Sequence, residues 1–328
     1  MSAAAPDAAA SVGARVIRRW QLIDPLLPLP GPASPHCGVP LTVSGRDGTA
    51  AVGRCEHWAG APGSLDLSWG AARRFQLSAA VAGPDVAGGL DQLLSLWRDH
   101  LLRSPGTGDE DTAAVVNWPS RDVDGVAVLL RHGLDPLEVL AARTAPRRPG
   151  TLPGSPNARA PRADGQPRIR RAGTADIDTV ARLGLEIIRF DSRFGTVNER
   201  AGTLDALRRE AAGLVAGPAP WTWLAERDGE AVGMLAAQRP EAAGWIAPMV
   251  GLAPAAYLML LFVQPGERGA GVGAALADRF HRTADAAGVA VTLLHYEQLN
   301  PFSAPFWSRQ GYRPLWTTWQ ATPARALG

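Results

Sequence analysis

Four glycines and one arginine lie within eight residues of one another, between a short apolar run and an amphipathic segment. They are Gly266, Arg268, Gly269, Gly271 and Gly273. Glycines let a ligand approach the backbone closely, and the start of a helix presents unpaired N–H groups and the positive end of its dipole. Arg268 adds a charge that does not titrate near neutral pH. The stretch therefore predicts an anion-binding site, and a pyrophosphate group is the ligand that fits it best.

Two common nucleotide loops do not fit this stretch. A P-loop needs Gly-Lys-Ser/Thr, and the chain contains no lysine. A dinucleotide fingerprint needs Gly-x-Gly-x-x-Gly and an acidic residue further on, whereas the chain has Gly-x-Gly-x-Gly over 269–273. The pattern that fits is Arg-x-x-Gly-x-Gly over 268–273, directly after a strand and directly before a helix. It resembles the acyl-CoA pyrophosphate loop of the GCN5-related N-acetyltransferases, the GNAT family.

The elements that must position this loop follow the order of the N-acetyltransferase fold. Hydrophobic periodicity and turn residues predict β-α-α-β-β-β-α-β-α-β for the second half. Strands are predicted over 168–171, 221–226, 231–238, 257–263, 289–296 and 313–318, and helices from about 176 and over 203–214, 272–287 and 301–309.

The first half has a similar but incomplete pattern. We predict a disordered N-terminus over 1–14, a strand over 15–24, a proline-punctuated connection over 25–40 and a Pro/Arg/Gly-rich linker over 146–167. Between these segments lie a hairpin over 41–54, strands over 75–82, 113–118 and 137–142, and helices over 89–103 and 123–132.

The two halves also repeat each other in sequence. The segment 46–53 recurs at 227–233, offset by 181 positions, and 131–137 recurs at 309–315, offset by 178. This repeat predicts two tandem GNAT folds with mixed α/β sheets: a degenerate domain over 15–145 and a catalytic domain over 168–322. The first half has Asp85 and no arginine where the glycine loop would lie, so we expect it to have a structural or substrate-shaping role.

The resemblance implies which residues hold acetyl-CoA, the expected cosubstrate. In the family, backbone groups of the strand before the glycine loop pair with the pantetheine arm. Asn300 matches a family asparagine near the pantetheine, although a simple helix-entry turn explains Asn300 equally well. The implied acetyl-CoA residues are Leu261, Phe262, Val263, Arg268, Gly269, Ala270, Gly271, Val272, Gly273 and Asn300.

The proton donor that the family often uses is missing from this sequence. The family often places a tyrosine after a phenylalanine on the last helix, but here the pair is Phe306-Trp307. An indole does not donate a proton at neutral pH. Tyr296 and Tyr312 are the possible substitutes, and a structural role also fits each of them.

Carboxylates at strand ends are the candidate proton acceptors. Glu297 is the first choice, with His295 and Glu226 as alternatives and a water relay as a further option. Glu226 also fits a hairpin-end charge that faces solvent.

The amine substrate is expected opposite the acetyl-CoA arm, over the loop 190–195 and the segment 240–254. Asp191 could pair with an ammonium group and Arg193 with a carboxylate, and a solvated loop also explains both residues.

Composition limits the remaining possibilities. A chain of 328 residues with 46% hydrophobic and 20% charged residues is typical of a two-domain globular protein. The net charge of +2 gives no reason to expect nucleic-acid binding. No stretch predicts a signal peptide or a membrane span, and two cysteines do not predict a disulfide framework, so we expect a cytoplasmic monomer or homodimer. No residue spacing predicts a metal site.

Together these features predict an acetyl-CoA-dependent N-acetyltransferase that acts on a primary amine of a small molecule. Two alternatives stay open: a non-catalytic acyl-CoA-binding or sensor protein, and a tandem acetyltransferase similar to mycothiol synthase.

Overall fold

The computed structural model describes residues 5–29, 38–145 and 167–328. The predicted linker, except for Pro167, lies outside the described residues, as do 1–4 of the predicted disordered N-terminus and 30–37 of the predicted connection.

The first half contains three helices and five strands among the described residues. Short 3-10 helices lie at Leu65–Trp69 and Val123–Gly125. The elements are α1 (Ala5–Ile23), β1 (Val39–Ser44), β2 (Ala50–Ala59), β3 (Arg73–Ala82), α2 (Val86–Arg103), β4 (Thr112–Pro119), α3 (Val126–Arg131) and β5 (Asp135–Thr144).

The second half has the predicted order of elements. Short 3-10 helices lie at Thr174–Asp176, Ala247–Met249, Pro265–Glu267 and Ala324–Ala326. The elements are β6 (Arg168–Arg171), α4 (Ile177–Asp191), α5 (Thr203–Leu214), β7 (Thr222–Arg227), β8 (Glu230–Gln238), β9 (Ala255–Val263), α6 (Val272–Ala286), β10 (Val291–Glu297), α7 (Ser303–Arg309) and β11 (Arg313–Ala321).

The prediction of a strand over 15–24 is wrong, because these residues belong to α1. Residues 5–14, part of the segment predicted to be disordered, also belong to this helix. The apolar residues Val16 and Trp20 are four positions apart, which places both on one face of a helix. That face packs on the sheet, while Arg19 on the same helix forms an ion pair with Asp122. Tertiary packing therefore decides the conformation of this segment.

The eleven strands form one continuous mixed sheet rather than two separate sheets. The order is β1-β2-β3-β4-β11-β5-β10-β9-β8-β7-β6. The last strand of each half is therefore exchanged: β11 pairs with β4 of the first half, and β5 pairs with β10 of the second half. The predicted mixed α/β fold is confirmed, but the two predicted domains share one sheet and interleave at its centre.

The repeat in the sequence corresponds to a local twofold relationship at that centre. Arg313 lies opposite Ala142, and Gln320 lies opposite Asp135. An offset of 178 positions converts 135 to 313 and 142 to 320, so the β5–β11 pair has the same register when the two halves are interchanged. Both Asp-Gly turns of the repeat, at 47–48 and 228–229, connect antiparallel strand pairs.

The two faces of the sheet carry different elements. On one face α2 and α3 pack over the first half, and α6 and α7 pack over the second half. On the other face lie α1, α4 and α5. We call the latter the α4 face. Residues of β5, β9 and β10 alternate between the two faces, as expected for strands buried on both sides.

The two halves also contact each other outside the sheet. Arg200, before α5, reaches across to the first half, where its guanidinium donates to Asp111 Oδ1 at 2.9 Å and to the Gly70 carbonyl at 3.0 Å. The Ser68 and Thr203 hydroxyls are 2.9 Å apart and buried. These contacts fix α5 and the loop before it over the central strands, which borders the site described below.

Candidate functional site

The strands β9 and β10 separate after four residue pairs and leave a V-shaped opening. Their last parallel pair is Leu294 with Leu258, and beyond it β9 pairs only with β8. Met259 is an extra residue in β9, because the register against β8 shifts between Leu258 and Leu260. Such a bulge bends a strand and interrupts its ladder of hydrogen bonds. The three residues predicted to pair with pantetheine, Leu261, Phe262 and Val263, lie in the open arm of β9.

The glycine loop joins this arm to α6 and is open. Gly269 and Gly271 have φ of +81° and +89°, which a residue with a side chain rarely adopts. A side-chain carbon built at either glycine would have no other heavy atom within 4 Å. No backbone carbonyl in the described part of the chain accepts a hydrogen bond from the N–H groups of Gly269, Ala270 or Gly271. Helix α6 then begins at Val272 without a side-chain cap, so the loop offers unpaired donors to an anion.

Arg268 lies across the mouth of the opening. Its Nε donates to the Val263 carbonyl at 3.2 Å, and its guanidinium lies 4.7 Å from the Phe190 ring centre and 5.8 Å from that of Phe302. The neighbouring Glu267 carboxylate is paired with Arg227 at 2.9 Å. The negative charge next to the loop is therefore compensated, while Arg268 remains exposed.

Glu297 ends β10 on the α4 face and is only 4% exposed. Its Oε2 is buried and has no hydrogen-bond partner in the described part of the chain. Burial, followed by the nearby charges of Glu138 and Asp191, raises the pKa of the Glu297 carboxyl to about 9. Glu297 is therefore protonated at neutral pH, so it can donate a proton, whereas the sequence suggested it mainly as a proton acceptor.

The loop after α4 covers Glu297. A side-chain carbon at Gly195 would collide with Glu297 Oε2. Any side chain at this position would therefore force the loop or the Glu297 carboxyl group to move, and no pattern in the sequence singles out Gly195.

Asp191 and Asn300, predicted for different ligands, contact each other. Asn300 Nδ2 donates to Asp191 Oδ1 at 3.0 Å, and Asn300 Oδ1 accepts from the Phe302 N–H at 3.0 Å. The second contact is the helix-entry turn considered for Asn300. Burial raises the pKa of Asp191 to about 6, an effect that Asn300 opposes. Arg193 is exposed, and its guanidinium lies 5.6 Å from the Phe190 ring centre.

Tyr296, the other predicted catalytic residue, lies on the face opposite Glu297. It packs against the cluster that contains Phe306, Trp307 and residues of α6. Burial raises the pKa of its hydroxyl. The structure therefore does not bring the side chains of Tyr296 and Glu297 together. They lie on opposite faces of the sheet, and Tyr296 is on the face that α7 covers.

The remaining candidates have structural partners. The Tyr312 hydroxyl is buried and donates to Thr292 Oγ1 at 3.0 Å. Glu226 is paired with Arg170 at 2.7 Å, as expected for a charge at a hairpin end.

His295 lies two residues before Glu297 and on the same face of the sheet. Its Nδ1 is 2.9 Å from the Tyr257 hydroxyl, and its ring stacks near Trp245. Trp245 comes from the segment 240–254, so this predicted substrate segment does reach the α4 face beside β10.

Sequence reasoning missed Glu138, which lies on β5. Glu138 is directly opposite Glu297 in the β5–β10 pair, although it belongs to the first half. A single charged residue inside the apolar run 137–142 was the available signal. That Glu138 lies next to Glu297 could not be predicted, because it depends on the strand exchange and the sequence repeat does not reveal this exchange.

No group of three or more His, Cys, Asp or Glu side chains within 5–29, 38–145 and 167–328 is arranged to hold a metal ion. In the same ranges no helix has the length and apolar character of a membrane span.

Comparisons with known proteins agree with the family resemblance of the glycine loop. A family model described as "Acetyltransferase (GNAT) family" matches residues 188–312, which include the glycine loop, β9, β10 and Glu297. No curated protein matches the chain.

Several solved structures are similar to the chain at low identity. A GCN5-related N-acetyltransferase from Sphaerobacter thermophilus has a TM-score of 0.48 and 15% identity, covering 87% of this chain and 81% of that one. A GCN5-related N-acetyltransferase from Kribbella flavida has a TM-score of 0.41 and 14% identity, with 98% and 95% covered. A tandem GNAT protein from the clavulanic acid biosynthesis pathway has a TM-score of 0.39 and 12% identity, with 96% of each chain covered. By the match over residues 188–312, this part of the chain is a domain of the acetyltransferase (GNAT) family.

Proposed function

We propose that the protein is an acetyl-CoA-dependent N-acetyltransferase whose second half transfers an acetyl group to a primary amine of a small molecule. The family supports acyl transfer in general, and the choice of an amine rests on the acidic residues of the site. The single observation that carries the proposal is the open loop at the start of α6, which lies beside the unpaired arm of β9.

The residues present fit acetyl-CoA. The N–H groups of Gly269, Ala270 and Gly271, together with Arg268, would hold the pyrophosphate, and the open arm over 261–263 would pair with the pantetheine. Pairing there requires Arg268 Nε to leave the Val263 carbonyl, after which the guanidinium is free for phosphate. When bound, acetyl-CoA supplies the activated acetyl group as a thioester.

Glu297 would handle the proton that the transfer must move. In the transfer itself the nitrogen of the neutral amine loses one proton, and the sulfur of the leaving thiol gains one. A carboxyl group that is protonated near neutral pH can supply the second proton and then recover the first. This role replaces the tyrosine for which this chain has Trp307, a buried indole on α7.

The test is an assay of thiol release from acetyl-CoA with a panel of aliphatic and aromatic amines, with Glu297→Gln as the matched variant. We expect turnover by the wild-type protein and a kcat about 100- to 10,000-fold lower in Glu297→Gln. The binding constant for acetyl-CoA should be unchanged, because the carboxyl group lies on the α4 face.

A non-catalytic acyl-CoA-binding protein is the second candidate. It is favoured by Trp307 at the position of the usual tyrosine and by the loop over Glu297, which leaves that carboxyl 4% exposed. Binding of acetyl-CoA without turnover across the whole amine panel would support this candidate and contradict the enzyme.

A further inference from the structure

Two carboxyl groups from different halves of the chain face each other on the α4 face. Glu138 on β5 and Glu297 on β10 are directly opposite in an antiparallel pair. Side chains in such positions start about 5 Å apart, and like charges there are unfavourable. One carboxyl group should therefore keep its proton, and the buried one is Glu297.

Neither carboxyl group has a partner that satisfies it. Glu297 Oε2 has no hydrogen bond, and Glu138 forms no hydrogen bond or ion pair within 4 Å among the described residues, although it is half-exposed. A buried carboxyl oxygen without a partner is rare in proteins and marks a group that acts in catalysis or meets a ligand.

The nearby Arg74 does not neutralise this pair of carboxyl groups. Arg74 lies close enough to Glu138 for an electrostatic interaction, but its guanidinium donates to the Asp66 and Ala71 carbonyls and lies 4.4 Å from the Trp58 ring centre. The charge at Glu138 is thus available to a cation from solvent, and Asp191 adds a second carboxyl group near Glu297.

We propose that Glu138 binds the ammonium group of the acetyl acceptor beside Glu297, so that the first half completes the substrate site of the second half. This inference rests on the proposed function and specifies its substrate class: aliphatic primary amines that arrive as cations. The bound ammonium must lose one proton before its nitrogen attacks the thioester, and the Glu138 carboxylate accepts this proton and releases it to solvent, because Glu138 is half-exposed. The second proton of the nitrogen is the one that Glu297 handles, and the leaving sulfur gains one. An amine with a neighbouring carboxylate should bind poorly, because that carboxylate would meet Glu138 and Asp191. Electrostatic complementarity of this kind governs which amines are accepted.

The test compares Glu138→Gln with Asp135→Asn, a control that also removes one negative charge from β5 but lies at its exposed end. With 1,4-diaminobutane as the acceptor, we expect Glu138→Gln to raise KM about 10- to 100-fold. KM for acetyl-CoA should not change, and Asp135→Asn should behave like the wild type. Glu138→Asp, which keeps the charge, should retain most of the affinity. A KM for 1,4-diaminobutane within twofold of the wild type in Glu138→Gln would overturn the inference.

A second readout separates an electrostatic role of Glu138 beside Glu297 from a purely structural role, while the KM comparison tests amine binding. Because the charge of Glu138 raises the pKa of Glu297, its removal should move the high-pH limb of the kcat profile to lower pH. A purely structural role of Glu138 would leave this limb unmoved.

Direct binding distinguishes failure of this inference from failure of the proposed function. Binding of 1,4-diaminobutane is measured by NMR on the wild type and on Glu138→Gln, with and without CoA. Amine binding that is lost in Glu138→Gln supports the inference, even if acetyl-CoA does not bind. Failure of acetyl-CoA to bind would contradict the proposed function instead. No amine binding to the wild type, with CoA bound, would overturn the inference alone.

Discussion

Asp85 accepts a hydrogen bond from the backbone N–H of Gly88 at 2.8 Å, and its carboxylate thereby closes the start of α2. The corresponding helix of the second half, α6, begins at Gly271 with no side-chain cap. In the first half a carboxylate of the protein therefore occupies the place that an anion could take. This geometry gives a physical reason for the prediction that the first half has no phosphate loop.

The first prediction concerns stoichiometry. Because α6 begins without a side-chain cap whereas Asp85 caps α2, isothermal titration should show one acetyl-CoA per chain. Asp85→Ala should still bind one acetyl-CoA and should lose about 1 kcal/mol of stability through the missing cap. Two equivalent sites per chain would contradict the assignment of the first half as degenerate.

The second prediction concerns the arginine of the glycine loop. Arg268→Glu should weaken acetyl-CoA binding roughly 30-fold or more, because a favourable charge next to the pyrophosphate becomes a repulsive one. Arg282→Glu is the matched control, since Arg282 is an exposed arginine near the far end of α6, the helix that follows the glycine loop. Unchanged affinity in Arg268→Glu, with unchanged circular dichroism, would contradict the location of the pyrophosphate.

The third prediction concerns stability as a function of pH. The pKa of Glu297 is raised from 4.5 to about 9 on folding, so the folded state holds an extra proton between these values. The contribution of Glu297 to stability is therefore fully present below pH 4.5 and is lost as the pH rises toward 9. Glu297→Gln does not titrate, so its stability relative to the wild type should increase by roughly 1 kcal/mol per pH unit, several kcal/mol in all, from pH 5 to pH 9.

Urea unfolding at both pH values measures this change. Glu230→Gln, which removes an exposed carboxylate at the start of β8, should show no comparable trend. If the wild type instead gains stability relative to Glu297→Gln as the pH rises, the burial of a neutral carboxyl group is contradicted.

The fourth prediction concerns the loop that covers Glu297. In Gly195→Ala the new carbon would collide with Glu297 Oε2, so either the loop or the carboxyl group must move. We expect a lower kcat, unchanged acetyl-CoA binding and a loss of about 1 to 3 kcal/mol in stability.

The control for this loop variant is Gly213→Ala, inside α5, where a side-chain carbon would meet nothing within 4 Å. It should leave kcat unchanged and slightly raise stability, because alanine favours helix over glycine. Equal effects of the two substitutions would show that the contact between Gly195 and Glu297 has no role in turnover.

The order of elements in the second half could be predicted from sequence because its signals are local. The residues that bury one face of α6, including Val272, Leu276 and Phe280, recur at helical spacing. The Asp228-Gly229 turn and the glycines before α6 similarly require particular backbone conformations. The helix α1 was missed because its short apolar pattern around Val16 and Trp20 is also compatible with a strand.

The site was predictable only in part, for a reason that lies in the topology. Glu297 was identifiable as a carboxyl group at a strand end, and the glycine loop by its pattern. The raised pKa of Glu297 could not be predicted, because it depends on burial beneath Gly195 and on the charge of Glu138. Both contacts are long-range, and the contact with Glu138 exists only because β5 lies in the other half's portion of the sheet.

The exchange of β5 and β11 also determines when the sheet can form during synthesis of the chain. The strand β5 pairs only with β10 and β11, and one edge of β4 is covered only by β11. A nascent chain that ends before residue 291 therefore exposes an apolar strand with no neighbour and an uncovered sheet edge, the features that favour aggregation. The sheet can therefore close only after β11 has left the ribosome.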